Sequence, residues 1–80
     1  MSRERKQRRI MWQNRFSGET GFVKAVKETK GYFENGTLSE ARKFRSDGEC
    51  NQAIAILNKI GEGANNDFII TDENGTAVGI

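Results

Sequence analysis

The stretch Ser46–Gly61, SDGECNQAIAILNKIG, constrains the fold of this chain more than any other. Ser46 is a strong helix N-cap residue, because its hydroxyl can accept a hydrogen bond from a free backbone N–H of the first turn. Glu49, three residues on, can return a carboxylate oxygen to the cap residue's own N–H and complete a capping box. Cys50, Ala53, Ile54, Leu57 and Ile60 then recur at helical spacing as one apolar stripe, with Asn51, Gln52, Asn58 and Lys59 mainly off it. Gly61 suits the left-handed position that closes many helices. No other segment reads as a convincing helix. An amphipathic helix must bury its stripe, and the remaining segments are strand-like, so the helix calls for a sheet to lie on.

The expected strands follow from alternation and turn chemistry. In Ile10–Phe16, the residues Ile10, Trp12 and Phe16 alternate with Met11, Gln13 and Arg15, the period of a strand with one buried face, although Asn14 interrupts the apolar side. A continuous helix from Arg3 to Phe16 is the competing reading. Phe22–Glu28 and Tyr32–Glu34 read as a strand pair tied at Thr29-Lys30-Gly31. Asn35-Gly36-Thr37 reads as a turn, since Asn-Gly supplies the positive φ that tight turns need. In Leu38–Arg45 a short turn near Ser39–Ala41 leads into extended chain that points Phe44 inward and Lys43 and Arg45 outward. After the helix and a polar loop at Glu62–Asn66, Asp67–Thr71 reads as a strand, Asp72–Gly75 as a turn, and Thr76–Ile80 as a short final strand.

The sum is an α+β fold: a small two-layer domain in which an antiparallel sheet of four to five short strands packs on one main helix, about 46–61. Residues 10–80 form that domain, and residues 1–9 form a flexible, mobile basic N-terminal arm with no apolar residue after Met1 to anchor it. One sheet face is left without a helix and should be polar or meet a partner. Phe22, Val23, Ala25 and Val26 place apolar groups on both sides of their strand, so that far face is expected to be partly covered.

Residue types exclude much chemistry. The 80-residue chain has no histidine and one cysteine, so histidine-based nucleophile pairs, intrachain disulfides and a structural zinc site are all ruled out by inventory. Cys50 lies on the apolar stripe and reads as a small buried residue. Asp72 and Glu73 are neighbours that would face opposite sides of a strand. Gly61-Glu62-Gly63 follows a helix, whereas a phosphate-binding loop precedes one. Asp72–Thr76 departs from the calcium-loop pattern, with its glycine at the fourth position. The two Asn-Gly-Thr triplets, 35–37 and 74–76, are explained as turns. No enzyme activity, metal or cofactor is expected. No apolar run is long enough to span a bilayer and no signal-peptide core follows the charged start, so the reading is a soluble, cytoplasmic protein with no membrane partner.

Charge carries the functional hint. The net charge of +2 conceals a gradient: residues 1–15 hold six basic groups against Glu4, whereas residues 46–80 hold Lys59 against six carboxylates. Arg3, Arg5, Lys6, Arg8, Arg9, Trp12 and Arg15 are therefore the candidate nucleic-acid contacts, guanidinium groups for phosphate and an aromatic ring for stacking. Lys24, Lys27, Lys30, Lys43 and Arg45 would extend the basic surface if they shared a face. The expected function is a non-enzymatic binding module whose basic N-terminal segment contacts nucleic acid. The alternative is a protein-binding inhibitor or adaptor, of the small accessory kind found in phages and mobile elements, acting through a sheet face or edge. A homodimer is compatible with either.

Overall fold

The capped stripe does form the helix the sequence calls for, and four strands form the surface beneath it. In the computed structural model, which describes residues 7–78, the strands are β1 (Arg9–Asn14), β2 (Thr20–Lys27), β3 (Tyr32–Gly36) and β4 (Asn66–Thr71), and the helix is α1 (Asp47–Lys59). All neighbours are antiparallel, in the order β3-β2-β1-β4. The molecule is thus a small α+β fold.

Helix α1 begins where its cap chemistry dictates. Ser46 Oγ accepts from the Glu49 N–H at 3.2 Å. Glu49 differs from the expected capping box: its carboxylate accepts from the N–H of Arg45 at 3.0 Å, one residue before the cap. That bond ties the preceding extended chain to the first helical turn. Gly61, with φ of 92°, closes the far end in the left-handed conformation.

The stripe is buried as its spacing implies. Cys50 and Leu57 are fully buried and Ala53 nearly so, while Ile54 and Ile60 pack partly buried against the same cluster. The sheet contributes Ile10 and Val23, both fully buried. Trp12, Phe33 and Phe68 meet edge to face on this side, with centroids 6.3 and 5.6 Å apart for the two successive pairs. The Trp12 ring lies across Gly21, its register partner on β2; a Cβ there would stand 2.7 Å from the indole nitrogen.

Sheet β1–β2 splays open, and this decides where the polar chain goes. Their pairing ends at Met11 opposite Phe22. Beyond that point the segment 41–44 enters the gap: Arg42 N–H donates to the Val23 carbonyl at 3.0 Å, and Arg8 and Phe44 exchange backbone bonds of 2.8 and 2.9 Å. Phe44 is buried while Lys43 and Arg45 are exposed, as the alternation of that stretch predicts; Ala41 is also buried, and Arg42 is exposed although alternation would place it on the side of Phe44. Residue Lys24 is the extra residue of a bulge between Val23 and Ala25, which turns β2 toward β3.

Several expectations change. Arg8 and Arg9, assigned to the arm, are held in the described fold: Arg8 forms an isolated bridge to Phe44, and Arg9 opens β1 opposite Thr71 and is only 6% exposed. The remainder of the arm, including Arg3, Arg5 and Lys6, lies outside the described residues. Asn35 and Gly36 are strand residues, not a turn, because β2 is long enough for them to pair with Val23 and Phe22. Phe16 is not on the buried face. Asn14 ends β1 by accepting from the N–H groups of Phe16 and Ser17, each at 2.9 Å, and the reversal leaves Phe16 80% exposed. The continuous helix from Arg3 to Phe16 is excluded over β1. The final strand reduces to a short return, with Ala77 bridging Thr71 and Val78 N–H donating to Ile70. The turn before it packs Gly75 against Phe22 and Leu38, which covers part of the helix-free sheet face.

Candidate nucleic-acid interface

The seven residues proposed from sequence separate into two groups. Arg3, Arg5 and Lys6 lie outside the described residues. The other four are placed within the fold. Arg8 Nε donates to Asp47 at 2.8 Å, which holds the strand start against the first turn of α1. Arg9 is buried, donating to the Arg8 carbonyl at 3.1 Å and to Gln7 Oε1 at 3.4 Å and leaving its Nε without a partner among the described residues. Trp12 faces the helix and packs on Phe33, so its ring serves the core side of the sheet. Arg15 ties Asp67 at 2.9 Å and the Ala64 carbonyl at 3.1 Å, linking the end of β1 to the loop before β4. These side chains have structural partners, Arg15 while still exposed, and further exposed cations lie elsewhere.

They are found in the chain that fills the splay. The Arg8–Phe44 bridge lays Arg42, Lys43 and Arg45 beside Gln7 and Arg8, the first of the described residues. All three are exposed, and among the described residues none takes part in an ion pair. In sequence, Lys6 stands two residues before Arg8, and Arg5 and Arg3 precede it. The bridge therefore joins two basic stretches that are more than thirty residues apart. Lys24 and Lys27 belong to a different surface, the helix-free face of β2, where Lys24 lies close enough to Glu40 to help lower its pKa. The larger cause of that shift is the backbone N–H of Thr37, which donates to the Glu40 carboxylate at 3.0 Å.

Beside the exposed cations is a cleft of about 440 Å³ between the end of β2, the segment 42–44 and α1. Val26, Phe44, Ala53 and Ile56 make its apolar floor. Arg42, Glu49 and Gln52 stand at its rim, with the Arg42 guanidinium 5.3 Å from the centre of the Phe44 ring. Glu28, on the same rim, pairs with Lys59 at 3.6 Å. Sequence reading missed this cleft. The alternation Arg42-Lys43-Phe44-Arg45 was visible, but its neighbours come from β2 and from the second turn of α1, and no local signal announces that meeting.

Cys50 is fully buried, and desolvation, reinforced by the nearby Asp47 carboxylate, pushes its thiol up to about 11. Among the described residues there is no group of three or more potential metal-ligating side chains, and no helix is long and apolar enough to cross a membrane. Compared with protein-family models, curated proteins and solved structures, the chain matches none.

Proposed function

We propose that this chain is a non-enzymatic binding module that holds nucleic acid along the basic strip formed by Arg42, Lys43 and Arg45 where they meet the basic chain start. The single observation behind this reading is the Arg8–Phe44 backbone bridge, which sets three exposed cations, none in an ion pair among the described residues, beside Arg8, which three more basic residues precede in the sequence. Clustered guanidinium and ammonium groups bind phosphate oxygens and release condensed counterions, which gives salt-sensitive affinity with little sequence preference. Relative to the sequence expectation, the contact moves from Arg8, Arg9, Trp12 and Arg15 to the strip beside them.

The test is a titration of labelled oligonucleotides with the full chain at ~50 mM salt, where phosphate contacts are strong. Binding that weakens steeply with added salt, and weakens again in the Lys43→Ala/Arg45→Ala variant, is expected. Absence of affinity for any nucleic acid at that salt rejects the reading. A second reading, a protein target added to the sheet edge, rests on β3: its outer side has no strand partner among the described residues, and Tyr32 on it is 40% exposed. Capture of a stoichiometric protein partner that survives nuclease treatment and is lost on Tyr32→Lys would favour it.

A further inference from the structure

Resting on the reading just given, we infer that the cleft beside the basic strip takes one unstacked base of a single-stranded nucleic acid and prefers a base that offers an amino group. The first support is size and lining. A volume of about 440 Å³ lies within the range of small-molecule pockets, ~300–1,000 Å³, and an apolar floor with a few polar groups at the rim is their usual make-up. Phe44 is buried beneath that floor and the exposed Arg42 guanidinium lies over its ring at 5.3 Å, so the plane open to a base is the outer face of the guanidinium, held flat by the ring behind it.

The second support is the arrangement of charge across the segment. Lys43 and Arg45 are exposed and lie off the cleft, whereas the rim carries two carboxylates, Glu28 and Glu49, against the single cation Arg42. A phosphate is drawn to the cations and repelled by the carboxylates, so a nucleotide bound here is oriented with its phosphate on the strip and its base inward. Glu49 uses one carboxylate oxygen on the Arg45 N–H, and its other oxygen remains as an acceptor. An acceptor at the rim favours the amino group of cytosine over the carbonyl that uracil has in the same place. Gln52 adds an amide with both donor and acceptor capacity. In a duplex these base edges are paired and stacked, so only an unpaired nucleotide can enter.

The experiment compares cytidine and uridine decamers and a duplex of equal charge, bound to the full chain at fixed salt. Cytidine decamer is expected to bind at least about fivefold more tightly than uridine decamer, a difference at the lower end of single-base effects, and duplex more weakly than cytidine decamer. Glu49→Gln leaves the Ser46 cap on the backbone N–H untouched and keeps an amide oxygen to accept from the Arg45 N–H, and is expected to erase the cytidine preference without changing the salt dependence. Ala53→Leu, which fills the floor, is expected to lower cytidine decamer to the duplex affinity, with circular dichroism confirming the fold. Equal binding of both decamers, unaltered by Glu49→Gln, overturns the base site and leaves the basic strip standing. Absence of binding to all three polymers overturns both.

Discussion

Single residues in this fold are placed by contacts too close to tolerate change. Gly21 is the clearest case. Its register partner Trp12 covers it so closely that any Cβ would stand 2.7–2.8 Å from the indole ring. Gly21→Ala should therefore displace the ring from Phe33 and destabilise the protein by ~1–3 kcal/mol, as overpacking does, measurable by urea denaturation. Leu57, fully buried at the centre of the stripe, should lose ~2–5 kcal/mol as Leu57→Ala, enough to unfold much of a domain this size. Cys50 combines full burial with a thiol pushed up to about 11. It should resist a thiol reagent at pH 8 in the native state and react at once in denaturant; prompt native reaction would show the helix stripe to be open. Asp72 and Glu40 bear on acid stability. Backbone N–H groups of Thr76 and Asn74 lower the Asp72 pKa from its ordinary 3.8, with Arg8 assisting, and that of Thr37 lowers Glu40 from 4.5. Both groups contribute stability above those values and lose it as the pH falls through the depressed ones. The melting temperature should thus decline on acidification below about pH 4, and Asp72→Ala should flatten part of that decline.

At the scale of elements, legibility follows the range of the contacts. The helix was readable because cap, stripe and closing glycine lie within sixteen residues, and its ends came out within one or two positions of the expected ones. The inward Phe44 and outward Lys43 and Arg45 were readable from alternation, and the Asn74-Gly75 turn from its residues. Asn35-Gly36 misled because its dipeptide preference is weaker than two further pairs with β2, which continue the ladder instead. Phe16 misled because the side chain of Asn14 captures the next two N–H groups and ends the strand first. The candidate site was the least legible part. Its defining event is the insertion of segment 41–44 between β1 and β2, a meeting of distant chain segments that no local pattern encodes. Two measurements check these elements. Ser46→Ala should cost about 1 kcal/mol through loss of the N-cap bond. The amide protons of Arg8, Arg42 and Phe44, all donating to backbone carbonyls, should exchange slowly with solvent; rapid exchange at all three would mean that the segment is not held in the splay.

At the scale of the molecule, helix and sheet form a scaffold whose functional reading depends on where its charges go. The acidic carboxylates of the C-terminal half are partly consumed as structural partners: Asp47 holds Arg8 and Asp67 holds Arg15. Among the described residues the cations outside such pairs, the buried Arg9 aside, fall in two places, Lys24, Lys27 and Lys30 along and after β2, and Arg42, Lys43 and Arg45 in the segment bridged to Arg8. Removing residues 1–9 is a poor probe of binding, since it would also remove the Arg8 bridge to Phe44 and the first residue of β1. The most direct measurement is the salt dependence of single-stranded oligonucleotide affinity for the full chain and for the Arg42→Gln/Lys43→Gln/Arg45→Gln variant. For every phosphate that the variant no longer neutralises, the slope of log affinity against log salt should shrink by about 0.7. A fall of roughly 1–2 in slope is therefore expected, with unchanged thermal stability. Affinity and slope identical in the two proteins would contradict the account.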